Sequence, residues 1–219
     1  MDNVVSLVQG RARAGYAPSG SAPVDELLRL MDVEADDAPC EDRVQIAVRR
    51  VLGGETLFHE GASAEALYFV RAGTFKVFRT GADGYEQVLG FAGRREVLGF
   101  DAVCTGGHPA SAMALEDSSV FALRLRDLPG LSRRMPRLDR LVQQAASRAL
   151  AGRGELADLM AAVAAEVRVA RFLLQLSQRM QGCGQSPRRF HLRMSRGDIA
   201  SYLGLAHEIV SRSFSVPRK

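Results

Sequence analysis

Between Val44 and about Leu125 the chain is written in short runs of alternating apolar and polar residues, such as "ALYFVRAGTFKVFRT", "YEQVLGFA" and "SSVFALRL". Glycines at 53, 54, 61, 73, 81, 84, 90, 93 and 99 separate these runs. An alternation of period two with turn residues at this spacing predicts short antiparallel strands closed into a jelly-roll-like β domain. The period then changes. Leu131, Met135, Leu138, Val142, Ala145, Ala149 and Gly152 step by four and three residues along one stripe, the repeat of a coiled-coil seam. Pro136 suits the first turn of such a helix, where its missing N–H is not needed. A helix running to about Met160 is too long to be hidden by a small β domain alone. A second copy of the chain is the expected partner, with Ala145, Ala149 and Gly152 small enough for close approach. Packing of the same helix on its own domain is the alternative.

The pattern continues with "EVRVARFLLQLSQRM" (166–180), in which Val167, Ala170, Leu173, Leu174 and Leu176 have helical spacing. "GCGQSP" breaks that helix, and "RRFHLRM" alternates as a short strand would. Ser195 then offers an N-cap, with Asp198 three residues on complementing the positive end of a helix dipole. Ile199, Ala200 and Leu203 form one buried face, Gly204 supplies the turn, and Leu205, Ile209 and Val210 begin a second. That is the spacing of a helix-turn-helix. On its second helix His207, Glu208, Ser211 and Arg212 fall opposite Ile209 and Val210. Arginine can donate in parallel to guanine, glutamate can accept from cytosine, and serine can serve several bases. Ser195 and Arg196, at the start of the first helix, complete the candidate DNA-binding set, and a solvated polar face is the bland alternative.

Composition changes this picture in two places. Of the 219 residues, 29 are basic and 25 acidic, so net charge permits an anionic partner without requiring one. The acidic residues crowd into "VDELLRLMDVEADDAPCED" (24–42), whereas basic ones gather between Arg124 and Lys219, which makes the carboxyl half the phosphate-facing side. Residues 10–23, "GRARAGYAPSGSAP", have little to bury, so residues 1–43 are expected to form a flexible arm, with folding starting after Cys40. No apolar run approaches the length of a membrane span, and the amino terminus lacks a secretory core. A cytoplasmic protein with no membrane partner is the resulting expectation. Cys40, Cys104 and Cys183 are too few and too scattered for a disulfide framework or a zinc ribbon. No paired carboxylates, histidine cluster or phosphate-cradling glycine loop suggests an enzyme.

The stretches "GETLFHEGA", "LYFVRAGTFKVF", "VLGFDAVCTGGHPASAMALE", "RMPRL" and "SPRRFHLRMSRGDIASYLGL", together with Glu208, Ser211 and Arg212, resemble the cyclic-AMP receptor protein and fumarate-nitrate reduction (FNR) superfamily, on its FNR branch. The resemblance covers about Arg49 to Ser213. It implies an α+β chain: a β-roll sensor domain at 44–126, a dimerisation helix at 127–160 and a winged helix-turn-helix at 161–219. It also implies a homodimer that reads duplex DNA at an inverted repeat resembling TTGAT-N4-ATCAA through Glu208, Ser211 and Arg212, and that recruits RNA polymerase to activate transcription.

The chain departs from that family in its sensor and at its end. Members that bind cyclic AMP hold its phosphate on an arginine followed by serine in the segment matching 96–112, but no arginine occurs between Arg95 and Arg124. Oxygen-sensing members hold a four-iron cluster on four cysteines; this chain has three, with Phe121 where the internal ligand is expected. No cofactor is therefore expected, although Cys104 as a redox thiol, or His59 or His108 as a haem ligand, stays open beside the reading of each as an ordinary loop or core residue. Ala206 replaces the usual capping threonine, and "SFSVPRK" stands where relatives continue into a wing. The reading is thus of an incomplete winged helix-turn-helix with the wing missing, and the alternative function is a degenerate family member that dimerises but binds DNA weakly.

Overall fold

A computed structural model describes residues 19–33, 44–161 and 164–215. Two antiparallel sheets form its centre. Strands β1 (Gly20–Pro23), β2 (Gln45–Val51), β4 (Ala66–Ala72), β7 (Val97–Leu98) and β9 (Ser118–Arg124) make a five-stranded sheet in the order β1-β2-β9-β4-β7. Strands β3 (Thr56–Phe58), β5 (Phe75–Thr80), β6 (Glu86–Ala92) and β8 (Ser111–Ala114) make a four-stranded sheet in the order β3-β8-β5-β6. The glycine-punctuated runs thus become the strands of a β-roll.

Alternation along β4 and β9 decides what lies on each side. Tyr68, Val70, Val120 and Ala122 point between the sheets, where they meet Phe58, Phe75 and Ala112. Their neighbours Leu67, Phe69, Phe121 and Leu123 point the other way, as the pleat requires, into a second cluster with Leu27, Leu28 and Met31. Phe69 and Phe121 are directly paired across the two strands and fully buried. The turn between β4 and β5 needs glycine: Gly73 has φ 93, and a Cβ there would sit 2.0 Å from the Ser118 hydroxyl.

The expected flexible arm is corrected in part. Gly20–Pro23 pairs with Gln45–Val48 as β1, and Val24–Leu30 forms helix α1. In α1, Val24, Leu27, Leu28 and Leu30 are buried, because the acidic segment carries an amphipathic stripe that the outer face of the five-stranded sheet can cover. The rest of the arm, including Cys40, lies outside the described residues.

A second correction concerns the long helix. It is two helices, α2 (Leu128–Arg134) and α3 (Pro136–Met160), interrupted at Met135, whose φ of −132 and ψ of 86 leave the helical region. A residue before proline is pushed out of that region by the pyrrolidine ring, and Pro136 then begins α3 as its first residue. At 25 residues, α3 is about 37 Å long at 1.5 Å per residue.

Helix α4 (Ala165–Gly182) follows. The alternating "RRFHLRM" segment is not a strand, because an extended run needs a neighbouring strand to bond to and none is present among the described residues. It leads directly into α5 (Arg196–Leu203) and α6 (His207–Phe214).

The helical unit does not stand apart from the β-roll. Phe78, Val88 and Phe91 of β5 and β6 share one apolar cluster with Phe172 and Leu176 of α4, Ile199, Tyr202 and Leu203 of α5, and Val210 of α6. Phe91, Phe172 and Tyr202 form an aromatic trio with ring centroids 5.3 to 6.1 Å apart. β6 is an edge strand, and edges carry unpaired backbone groups. Here α5 covers that edge: the Ser201 hydroxyl donates to the Glu86 carbonyl and accepts from the Val88 N–H, both at 2.9 Å.

Candidate nucleic-acid interface

Helix α5 begins with a complete capping box. The Ser195 hydroxyl accepts from the Asp198 N–H at 3.0 Å, and the Asp198 carboxylate accepts from the Ser195 N–H at 3.1 Å. Two otherwise orphaned donors are thereby satisfied. The helix ends at Gly204, whose φ of 60 and ψ of 40 place it in the left-handed region, and Leu205 N–H returns to the Ala200 carbonyl at 2.9 Å. Arg168 of α4 donates to the Leu203 carbonyl at 3.3 Å. Cap, turn and buried face therefore fall on the residues that the apolar spacing selected.

Helix α6 starts without side-chain help, since its N-cap is Ala206. Val210 is fully buried, while His207, Glu208 and Arg212 are exposed and Ser211 is half-buried beside them. Ser211 is not free: Arg196 Nη1 donates to its hydroxyl at 2.7 Å. The structure thus gathers five of the six expected DNA-facing residues, Arg196, His207, Glu208, Ser211 and Arg212, on α5 and α6. It engages the sixth, Ser195, in the cap of α5.

A feature that periodicity did not reveal lies on the opposite side of α5. Lys76, on the same face of β5 as Phe78, is only 8% exposed and pairs with Glu86 at 2.5 Å and with Asp198 at 3.3 Å. Burial lowers the Lys76 pKa, but the hydrogen bond it donates to Glu86 and the two negative charges outweigh this and hold the ammonium above its usual value. Burial pushes Asp198 up, yet the Ser195 bonds and Lys76 hold its carboxyl below the usual range. One carboxylate therefore caps α5 and ties it to the β-roll. The sequence signal was present but weak: a lysine in register with the apolar positions of a strand.

The expected pairing seam is distributed unevenly. Met135, Leu138 and Ala145 are buried in the chain's own cluster with α1 and the five-stranded sheet, and Leu131 and Val142 pack against it. Ala149 is exposed and Gly152 half-buried, and the neighbouring Leu150 is 72% exposed. The first half of the stripe thus follows the alternative of packing on its own domain, and only the later half stays accessible.

In the segment 96–112, His108 is 2% exposed, and its ring stacks on Phe58 with centroids 3.8 Å apart. This imidazole, not an arginine, fills the segment, so the residues present do not fit a cyclic nucleotide phosphate. Of the three cysteines only Cys104 and Cys183 lie among the described residues, fewer than the four thiolates a four-iron cluster needs. Among the described residues no group of three or more histidine, cysteine or acidic side chains could hold a metal ion. Cys104 is an exposed free thiol, Cys183 donates to the Arg94 carbonyl, and Phe121 is core. His59 is exposed in the turn after β3.

Comparison with known proteins agrees with this architecture. Residues 48–134 match the cyclic nucleotide-binding domain family, and residues 167–217 match the Crp-like helix-turn-helix domain. The chain is 41% identical over 159 residues to the fumarate nitrate reduction regulatory protein of Klebsiella oxytoca, a match covering 73% of this chain and 64% of that protein. It is 40% identical, with the same coverage, to the fumarate and nitrate reduction regulatory protein of Escherichia coli (strain K12). The match thus spans just under two thirds of the length of these curated relatives. Among solved structures, FixK2 from Bradyrhizobium japonicum is similar with a TM-score of 0.65 at 26% identity, over 78% of this chain and 83% of that one. The fold and site define a β-roll joined to a helix-turn-helix. The chain belongs to the cyclic-AMP receptor protein/FNR family.

Proposed function

We propose that this chain is a sequence-specific, DNA-binding transcription regulator, with α6 as its reading element. The observation that carries the reading is the exposed grouping of Glu208 and Arg212 beside Ser211 on one side of a helix whose other side is anchored by Val210. A carboxylate, a hydroxyl and a guanidinium at this spacing suit the edges of successive bases in a major groove. The relatives named above are by name regulatory proteins of fumarate and nitrate reduction, and the set Glu208, Ser211 and Arg212 makes an inverted repeat resembling TTGAT-N4-ATCAA the proposed site.

The reading includes a cytoplasmic homodimer, since an inverted repeat requires two reading helices related by a twofold axis. Val142, Ala146, Ala149 and Leu150 offer α3 a pairing face of small and apolar residues that its own domain leaves wholly or partly open. No helix among the described residues is long and apolar enough to cross a membrane. Loops of the β-roll are the proposed contact for RNA polymerase, as an activator would use them.

The test is a mobility-shift titration on TTGAT-N4-ATCAA against a scrambled duplex at fixed salt, because phosphate contacts alone give salt-dependent binding without discrimination. Preference for the repeat supports the reading. Equal affinity for both duplexes refutes it and favours the weak-binding family member, for which the uncapped start of α6 at Ala206 is the supporting observation.

A further inference from the structure

A cleft of about 780 Å³ lies between the β-roll and the helical unit. The turns after β4 and β6, the end of α4 and the segment 185–194 enclose it. Seven arginines and two glutamates line it, so guanidinium charge is in excess on facing walls. The two glutamates are spoken for: Glu96 lies 3.4 Å from Arg179, and Glu116 lies 3.0 Å from Arg193. Arg71 pairs outside the cleft with Glu26, and Arg95 pairs with Asp32. Arg94, in the turn after β6, and Arg189, in the segment leading to α5, are exposed and have no side-chain partner among the described residues.

The floor of the same cleft is apolar, with Phe91, Leu176, Phe190 and Met194 along it. A volume of this size is typical of a small-molecule site. Unpaired guanidiniums at the rim suit phosphate oxygens, which they meet in a bidentate fork, and an aromatic and aliphatic floor suits a flat heterocycle. Of the segment 96–112 only Glu96 reaches this cleft, and His108 is not part of its lining.

We propose that this cleft binds a nucleoside di- or triphosphate, with Arg94 and Arg189 holding the phosphates and the floor receiving the base. Arg94 belongs to the β-roll and Arg189 to the segment that carries α5. The ligand bridges sensor and reading unit and fixes their relative placement.

Calorimetric titration of the full chain with ATP, inorganic pyrophosphate and adenosine, in the absence of DNA, tests the proposal. ATP is expected to bind at one site per chain, pyrophosphate more weakly, and adenosine not measurably at about 1 mM. The double variant Arg94→Ala/Arg189→Ala loses no ion pair of the fold, and circular dichroism checks that it is folded. In it, ATP affinity should fall at least about tenfold, as expected when charge-assisted bonds to phosphate are removed. Absence of ATP binding up to about 1 mM, or unchanged affinity in the variant, overturns the proposal. So does a variant that binds ATP normally but loses affinity for random-sequence duplex, which assigns these arginines to the DNA backbone.

Discussion

Lys76 of β5 and Asp198 of α5 lie 122 positions apart and form an ion pair at 3.3 Å, so the first turn of the helix-turn-helix is fastened to the β-roll. Removing the lysine leaves a carboxylate, itself only 17% exposed, with its Ser195 bonds alone. Lys76→Met should cost about 1–3 kcal/mol, the range for a buried polar group that loses its partner, read as a lower urea midpoint with an unchanged slope. The pH dependence has a defined sign. The Asp198 pKa is held below its ordinary 3.8, so the pair's stabilisation is present above that value and fades as the pH falls through the folded-state value. A midpoint unaffected by Lys76→Met would show that the pair contributes no net stability.

His108 titrates in the opposite chemical sense. Burial lowers its pKa from the ordinary 6.5, with Asp101 offsetting part of the effect, and its Nδ1 finds no hydrogen-bond partner. The folded state therefore holds this imidazole neutral while the unfolded chain takes up a proton. Stability is unaffected by this group above about pH 6.5 and declines as the pH drops below it towards the folded-state value, by at most about 1.4 kcal/mol per pH unit. Thermal melts between pH 7 and pH 5 should show the decline in the natural chain. They should show a smaller one in His108→Phe, which keeps a flat ring against Phe58.

The helix-turn-helix was legible because three local devices coincide: a cap at Ser195, a left-handed turn at Gly204, and apolar spacing on each side. The strands were legible for a similar reason, since glycine turns and period-two alternation are set within a few residues. What escaped depends on partners remote in sequence. β1 consists of "GSAP", which has no strand propensity, and forms because β2 lies alongside. The stripe of α1 is written in Val24, Leu27, Leu28 and Leu30, but the surrounding acidic residues dilute it in any composition count. The break at Met135 is a backbone effect of Pro136, which a hydrophobic heptad passes over. The docking of α5 on the edge of β6 rests on Ser201 and Lys76, neither of which is unusual in isolation.

Ala206 stands at the N-cap of α6 with φ −69 and ψ 143 and makes no side-chain bond. A serine or threonine hydroxyl at that backbone geometry can accept from an N–H of the first turn. Ala206→Thr should stabilise the chain by about 1 kcal/mol, seen as a higher thermal midpoint without DNA. If the helix start also limits binding, the same variant should bind the repeat more tightly. An unchanged midpoint would place the weak point of the unit elsewhere.

The proposed self-association uses the accessible half of α3. Ala149 is exposed one residue before Leu150, on the face that Val142 and Ala146 extend. Placing a long charged side chain there blocks close approach of two helices without touching the chain's own core. Ala149→Glu should shift sedimentation from dimer to monomer at micromolar concentration and leave the circular dichroism spectrum unchanged. A variant that remains dimeric would move the interface away from α3.

Arg212 provides the sharpest separation between reading a base and holding a backbone. Its side chain is exposed on α6 and has no side-chain partner among the described residues, whereas the Ser211 hydroxyl accepts from Arg196 at 2.7 Å. An arginine that donates twice to a guanine edge contributes discrimination, so Arg212→Ala should cost about 1–3 kcal/mol on the repeat and little on a duplex already altered at that guanine. An arginine on phosphate contributes instead to every sequence alike and lowers the salt slope by about one. Arg196→Ala supplies the contrast: it frees the Ser211 hydroxyl and removes a charge at the start of α5, so its effect should be nearly uniform across sequences. Titrating both variants against matched and altered duplexes at two salt concentrations distinguishes these roles. A uniform loss for Arg212→Ala would remove it from the reading set and leave Glu208 and Ser211 to specify the site.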